Sequence, residues 1–212
     1  MSNFNAAQYP SFNSKDLEIL DKTTVFQGFF RIELYTLRHR LFAGGWSEPM
    51  QREIFERGHA AAVLPYNPVT DEVVLIEQIR IGAAASSASP WLLEIIAGMI
   101  DTNETAMQVA IREAEEEAGI VLTELLPMLN YLSSPGGTTE RIQLYVGKLT
   151  QAVTSGVFGL AQEHEDIKVH VMPRTKALQL LAEQKIDNAA TVIALQWLAL
   201  NLDKVKQAWV NN

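Results

Sequence analysis

The chain has 212 residues, 17 of them basic and 25 acidic, for a formal net charge of -8. That length suits one substantial domain with a smaller appendage, and a hydrophobic fraction of 48% supplies a buried core and argues against disorder. The acid excess excludes bulk DNA or RNA binding and disfavours an anionic membrane, while the lack of cysteine excludes disulfides, thiolate metal centres and a thiol nucleophile.

Residues 1–20 are polar and aperiodic and read as a loosely held lead-in. Between Val25 and Phe42, Ile32 and Leu34 alternate with Arg31, Glu33 and Tyr35, the period of half-buried strands, until Gly44-Gly45 break the run. Another strand is expected over Met50–Phe55. Few helix signals occur here, so residues 1–57 read as a small antiparallel β-domain and 58–212 as the main domain.

After Gly58, HAAAVLPYN and EVVLIEQIRI read as two apolar strands joined by a turn at Asn67-Pro68 and Thr70-Asp71. GAAASSASP (82–90) reads as a loop and Trp91–Ala97 as one short strand. The period then changes. Ala106, Val109, Ala110, Ala114 and Ala118 recur at helical spacing across Thr105–Ala118, and Gly119 is placed to end the helix. Leu125–Leu132 and Gln143–Leu149 read as strands around the loop SSPGGTTER, with a last strand at Lys168–Met172. A helix can begin at Pro173. The final helix is expected near Asp187-Asn188, with Val192, Leu195, Trp197, Leu198 and Leu202 on its apolar face. The N-terminus shows no basic-then-apolar leader and no apolar run reaches about 18 residues, so a soluble cytoplasmic protein is expected.

The chemistry concentrates in GMIDTNETAMQVAIREAEEEAGI, residues 98–120. Glu113 and Glu117 lie four apart and share a helical face, bordered by Glu116. Like charges at that spacing destabilise an isolated helix by a few tenths of a kcal/mol, a cost a hard divalent cation between them would remove. Oxygen-only ligation suits Mg²⁺ or Mn²⁺, with Arg112 and Glu104 orienting the ligands from behind. The bland alternative is a solvated acidic helix face. Against it, Gly98, Glu104, Arg112, Glu113, Glu116, Glu117 and Gly119, followed by apolar Ile120, fill every fixed position of G-x5-E-x7-R-E-U-x-E-E-x-G-U. Seven such coincidences have a chance of about 10⁻⁸ per starting point at average residue usage. The histidines His39, His59, His164 and His170 have no ligand spacing and read as structural or surface residues.

That pattern is the Nudix box, and the chain resembles a Nudix hydrolase. GFFRIELYTLRHRLF, REIFERGHAA, EVVLIEQIR, WLLEIIAGMI, SSPGGTTER and KIDNAATVIALQWL extend the likeness, from about Phe26 to Leu200, to the bacterial ADP-ribose pyrophosphatase branch. The resemblance implies an α/β fold: a Nudix α/β/α sandwich with a mixed β-sheet plus a small N-terminal antiparallel β-domain. It also implies a homodimer whose N-terminal domains help form both active sites. The metal ligands implied are the Ala97 carbonyl, Glu113 and Glu117, with Glu116 as an extra contributor and two or three Mg²⁺ per site. On the loop GLAQEHEDIKV, Glu163 would be the general base and Glu165 a further ligand. Glu163, Glu165 and Asp166 are crowded, and a small shift would exchange their roles. Substrate contacts implied are Arg52, Arg57 and Arg80 for phosphate, and Phe29, Phe30 and Glu53 for adenine. Ser134, Pro135, Gly136 and Glu140 would line the terminal ribose end, and Met99 follows the metal-binding carbonyl.

The activity implied is Mg-dependent hydrolysis of ADP-ribose to AMP and ribose 5-phosphate. The box reads diphosphate and metal rather than sugar, so another nucleoside diphosphate sugar, an ADP- or GDP-sugar, stays open. A ligand-sensing module without catalysis predicts a broken box and an added basic DNA-binding region, and the box is intact. A purely structural interaction protein predicts no effect of Glu113→Gln.

Overall fold

In the computed structural model the described residues are 10–101, 103–160, 162 and 164–210. The chain divides into two compact units. One runs up to Arg57 and includes Ser134–Glu140; the other holds Gly58–Ser133 and the chain from Arg141 onward.

The first unit is a three-stranded antiparallel sheet of β1 (Leu17–Gln27), β2 (Arg31–His39) and β3 (Met50–Glu56), in that order. The expected lead-in is therefore shorter than residues 1–20. Asn13 caps a 3-10 turn over Ser14–Asp16, and β1 follows at once. Its alternation is hidden because the strand is almost wholly exposed and irregular in register between Ile19/Asp21 and Thr24/Phe26. Pairing with β2 makes it a strand. Ser134–Glu140 is tied to the same unit where the Phe55 amide donates to the Gly137 carbonyl at 2.8 Å.

The second unit is built on an eight-stranded mixed sheet: β4 (Ala60–Asn67), β5 (Glu72–Ile79), β6 (Trp91–Glu94), β7 (Ile96–Met99), β8 (Leu125–Leu132), β9 (Arg141–Lys148), β10 (Val157–Phe158) and β11 (Ile167–Pro173). The order is β10-β11-β5-β4-β9-β8, with β6 against β5 and β7 against β4; β4 and β9 pair in parallel, and the other pairs of this sheet among the described residues are antiparallel. Two-residue periodicity sorts β4 between the faces. Ala62, Leu64 and Tyr66 pack towards α2 (Arg174–Ala182), α3 (Ala189–Leu200) and α4 (Leu202–Val210). Ala61 and Val63 pack with Val109, Ala110, Ala114 and Ala118 of α1 (Ala106–Ala118) on the other face. Helices on both sides of the sheet give the α/β/α layering.

Three further elements differ from the sequence reading. Trp91–Ala97 is two strands, broken at Ile95, whose amide donates to the buried Thr191 hydroxyl at 2.9 Å and turns the chain from β5 to β4. The two-residue β10 was not expected. The final helix stops at Leu200, where the Asn201 side chain donates to the Trp197 carbonyl, so Leu202 opens α4 instead of completing one face. Among the described residues, no helix is long and apolar enough to cross a membrane.

Candidate active site

The site begins where β5 leaves β4. The two pair directly only at Tyr66–Val73 and Asn67–Glu72; beyond that, β6 lines β5 and β7 lines β4, so the strands splay. The Ile100 amide donates to the His59 carbonyl, which fixes the hydrogen-bonding parity of the β4–β7 ladder. By the antiparallel alternation, Ala62 and Ala97 face each other as a non-bonded pair. The Ala97 amide and carbonyl therefore both point away from β4, into the splay.

Helix α1 delivers carboxylates to the same place. Its start is fixed by a capping box, in which Thr105 accepts from the Gln108 amide and Gln108 reaches back to Thr105. Its end is fixed by Gly119 at φ +63°, the left-handed turn glycine adopts without strain. Between them, Glu117 is only 3% exposed and accepts from the Ala97 amide at 3.2 Å. Burial, then the Glu113 charge, push its carboxyl up to about 8. Burial also raises Glu113, against the opposing pull of Arg112. Gly98 lies under Glu113 so closely that a Cβ there would fall inside the carboxylate. That close approach is the physical reason for glycine at this position.

Arg112 is wholly committed to this cluster. Its Nε and Nη2 each donate to Glu104 at 3.1 Å, and Nη1 donates to Glu113 and Glu116 at 2.8 Å. These contacts, Glu104 first, raise the guanidinium pKa further. Among the described residues no three His, Asp or Glu side chains already converge as a cation cage. Arg112 holds Glu113 and Glu116 to itself, leaving the buried Glu117 beside the Ala97 backbone.

The structure brings Glu165 and Arg80 into electrostatic reach of these groups: Glu165 raises both Glu113 and Glu117, and Arg80 opposes the rise at Glu117. Glu165 accepts from the Leu160 amide at 3.1 Å within its own loop. Gly159, at φ +102°, leaves room for Glu165 that a side chain would take. Glu163, the expected base, lies outside the described residues. Met99 ends β7 and is exposed. A residue the sequence reading passed over is Glu94 at the end of β6, which accepts from Arg80 Nε at 2.8 Å. Its signal was latent in the β5–β6 hairpin, which pairs Glu94 with Ile76.

The remaining expected residues belong to the first unit. Phe29 is 86% exposed and meets Phe30 edge-to-face at 4.7 Å; Phe30 meets Phe55 likewise at 5.1 Å. Arg57 lies over the Phe30 ring at 5.5 Å and pairs with the buried Glu140 at 3.2 Å. Arg52 and Glu53 are exposed neighbours on β3, and Ser134, Pro135 and Gly136 are exposed in the 134–140 segment. The histidines take scattered roles: His170 Nε2 lies 2.8 Å from Glu77, and His59 Nδ1 accepts from the Arg141 amide.

A family model, the NUDIX domain, matches residues 56–195. The chain is 54% identical over 199 residues to ADP-ribose pyrophosphatase of Escherichia coli (strain K12), covering 94% of this chain and 95% of that protein. It is 49% identical over 201 residues to ADP-ribose pyrophosphatase of Haemophilus influenzae, covering 93% of each. A GDP-mannose pyrophosphatase of Escherichia coli (strain UTI89 / UPEC) is 33% identical over 153 residues, 71% of this chain and 78% of that one. A crystal structure of an ADP compounds hydrolase shares the fold, with TM-score 0.69 at 22% identity over 90% of this chain and 96% of that chain.

Proposed function

Because this chain belongs to the Nudix family, we infer that it is an enzyme that hydrolyses the pyrophosphate of ADP-ribose to AMP and ribose 5-phosphate. The observation that carries this reading is the full-length identity of 54% to an ADP-ribose pyrophosphatase, joined to an intact box folded around one splay in the sheet. The 33% relative that acts on GDP-mannose keeps a second nucleoside diphosphate sugar as the alternative substrate.

The residues fit a hard cation. Every donor is oxygen, the Ala97 carbonyl is turned out of its ladder, and Glu117 is buried beside the Glu113 and Glu165 charges with its pKa raised. Glu113, Glu117 and the Ala97 carbonyl would hold Mg²⁺, or Mn²⁺, with Glu116 and Glu165 contributing and two or three ions per site. The ions would neutralise the diphosphate and acidify the attacking water. The chain's own groups supply the rest. Arg112 keeps Glu113 and Glu116 oriented, Arg80 offers a guanidinium to phosphate, and Glu163 would take the water's proton. In the first unit, Phe29, Phe30 and Glu53 would receive the adenine, Arg52 and Arg57 the phosphates. Ser134, Pro135, Gly136 and Glu140 would receive the ribose end, with Met99 beside the metal-binding carbonyl. The chain would work as a cytoplasmic homodimer; a monomer in sedimentation at working concentration would remove that element.

The test is incubation with Mg²⁺ and a panel including ADP-ribose and GDP-mannose in ¹⁸O-labelled water. ADP-ribose should turn over fastest, with label in AMP. No turnover of ADP-ribose sinks the substrate assignment, and label in ribose 5-phosphate overturns attack at the adenosyl phosphorus. Glu163→Gln should slow turnover by about 10²–10⁴-fold if it is the base.

A further inference from the structure

We propose that Glu94 is a positioning residue that holds Arg80 by one edge, leaving its other edge free to fork onto the diphosphate of the substrate. The inference rests on reading this chain as a nucleoside diphosphate pyrophosphatase. Along β5, Val74, Ile76 and Gln78 alternate onto one face, where Val74 and Ile76 pack against α1, and Arg80, still extended just past the end of the strand, continues the alternation. Cross-strand partners share a face, so Glu94, registered with Ile76, stands on that face too. Its Oε2 accepts from Arg80 Nε at 2.8 Å and from Gln78 Nε2 at 3.3 Å.

Arg112 of α1 and Arg80 are used differently. Arg112 spends Nε, Nη1 and Nη2 on three glutamates. Arg80 spends only Nε; among the described residues neither of its terminal nitrogens has a hydrogen bond, and its side chain is 45% exposed. A guanidinium restrained at Nε loses less freedom when its two Nη groups grip a phosphate bidentately. The Glu94 side chain is 13% exposed, so the anchoring carboxylate is better fixed than the arginine it anchors. The charge of Arg80 is also felt at Glu117, one of the carboxylates that would hold the metal. Neither Glu94 nor Gln78 belongs to the box.

The arginine end of this pair is 45% exposed, and a glutamine at 94 keeps an oxygen that can accept from it, so removing the charge of Glu94 separates positioning from stability. Glu94→Gln should raise KM for ADP-ribose about tenfold, with kcat changed less than about threefold and the thermal midpoint unmoved. Arg80→Lys, which cannot fork, should weaken binding similarly, and the double variant should be no worse than Arg80→Lys alone. The same four proteins are titrated calorimetrically with Mg²⁺-pyrophosphate, which reads the diphosphate grip without the sugar. An affinity for Glu94→Gln within about twofold of the parent, or a double variant whose losses multiply, overturns the proposal. Failure of the parent to hydrolyse ADP-ribose would instead strike the substrate reading, and the pyrophosphate titration would still decide the role of Glu94.

Discussion

Strands β4 and β5 of the second unit are buried on both faces, whereas β1 of the first unit is exposed along almost its whole length. In the second unit each face of the sheet is covered by helices, and Leu64, Leu75, Val63 and Ile76 are inaccessible to solvent. In the first, Leu17, Ile19, Leu20, Val25 and Phe26 stay between 45% and 60% exposed. What organises that sheet is its hydrogen-bond ladder and polar contacts: Arg31 against Glu33 at 3.1 Å, and Trp46 beside Arg38 and Arg40 at 5.2 and 4.6 Å. On the function proposed above, the contrast separates stability from recognition. Apolar side chains of the second unit hold the fold, while those of the first stand available for contact.

Substitutions can break or sharpen that contrast. The largest effect is expected at the carboxylates: Glu117→Gln should cut ADP-ribose turnover by about 10³-fold, about 4 kcal/mol, and a chelator should silence the parent until Mg²⁺ is restored. Next, Leu64→Ala should cost about 2–5 kcal/mol in denaturant unfolding, since its fully buried site cannot collapse without loss. Gly98→Ala should lower turnover by about 10²-fold by driving a methyl into Glu113, whereas Gly82→Ala, surrounded by open space, should leave turnover unchanged. A pH effect follows from Glu117. Its folded value, about 8, lies above the ordinary 4.5, so its contribution to stability is complete below 4.5 and lost as pH rises through 8. The metal-free protein should melt at progressively lower temperature across that window, and Glu117→Gln should flatten the slope. The smallest change is expected at Phe29→Ala. It should move stability by less than about 0.5 kcal/mol while raising KM, and a large stability loss there would erase the contrast between the units.

Much of the second unit was legible because its signals are local. Helix α1 carries its own cap, apolar period and terminal glycine in 15 consecutive residues, Thr105–Gly119. The apolar runs of β4 and β5 mark strands covered on both sides. What escaped depends on distant partners. The break at Ile95 is set by Thr191, 96 residues away. Strand β1 lacks an alternation because nothing buries it in its own unit. At the site, the box identified Glu113 and Glu117 as neighbours, but that Gly98 forms the floor under Glu113 is visible only once β7 and α1 are brought together. Glu94 had no motif, since its meaning lies in the pairing of β5 with β6.

The first unit is discontinuous: Ser134–Glu140 arrives from between β8 and β9. A ribosome emitting the chain in order would therefore deliver the partners of Phe55 and Arg57 more than seventy residues late. No single cut can excise this unit whole. A fragment ending at Arg57 would lack Glu140 and leave that arginine without its carboxylate, and a fragment starting at Gly58 would carry Ser134–Glu140 as an orphaned loop. Neither half is a transferable module. Circular permutation or fusion of the chain would have to keep all three of its crossings between units, or lose the smaller unit altogether.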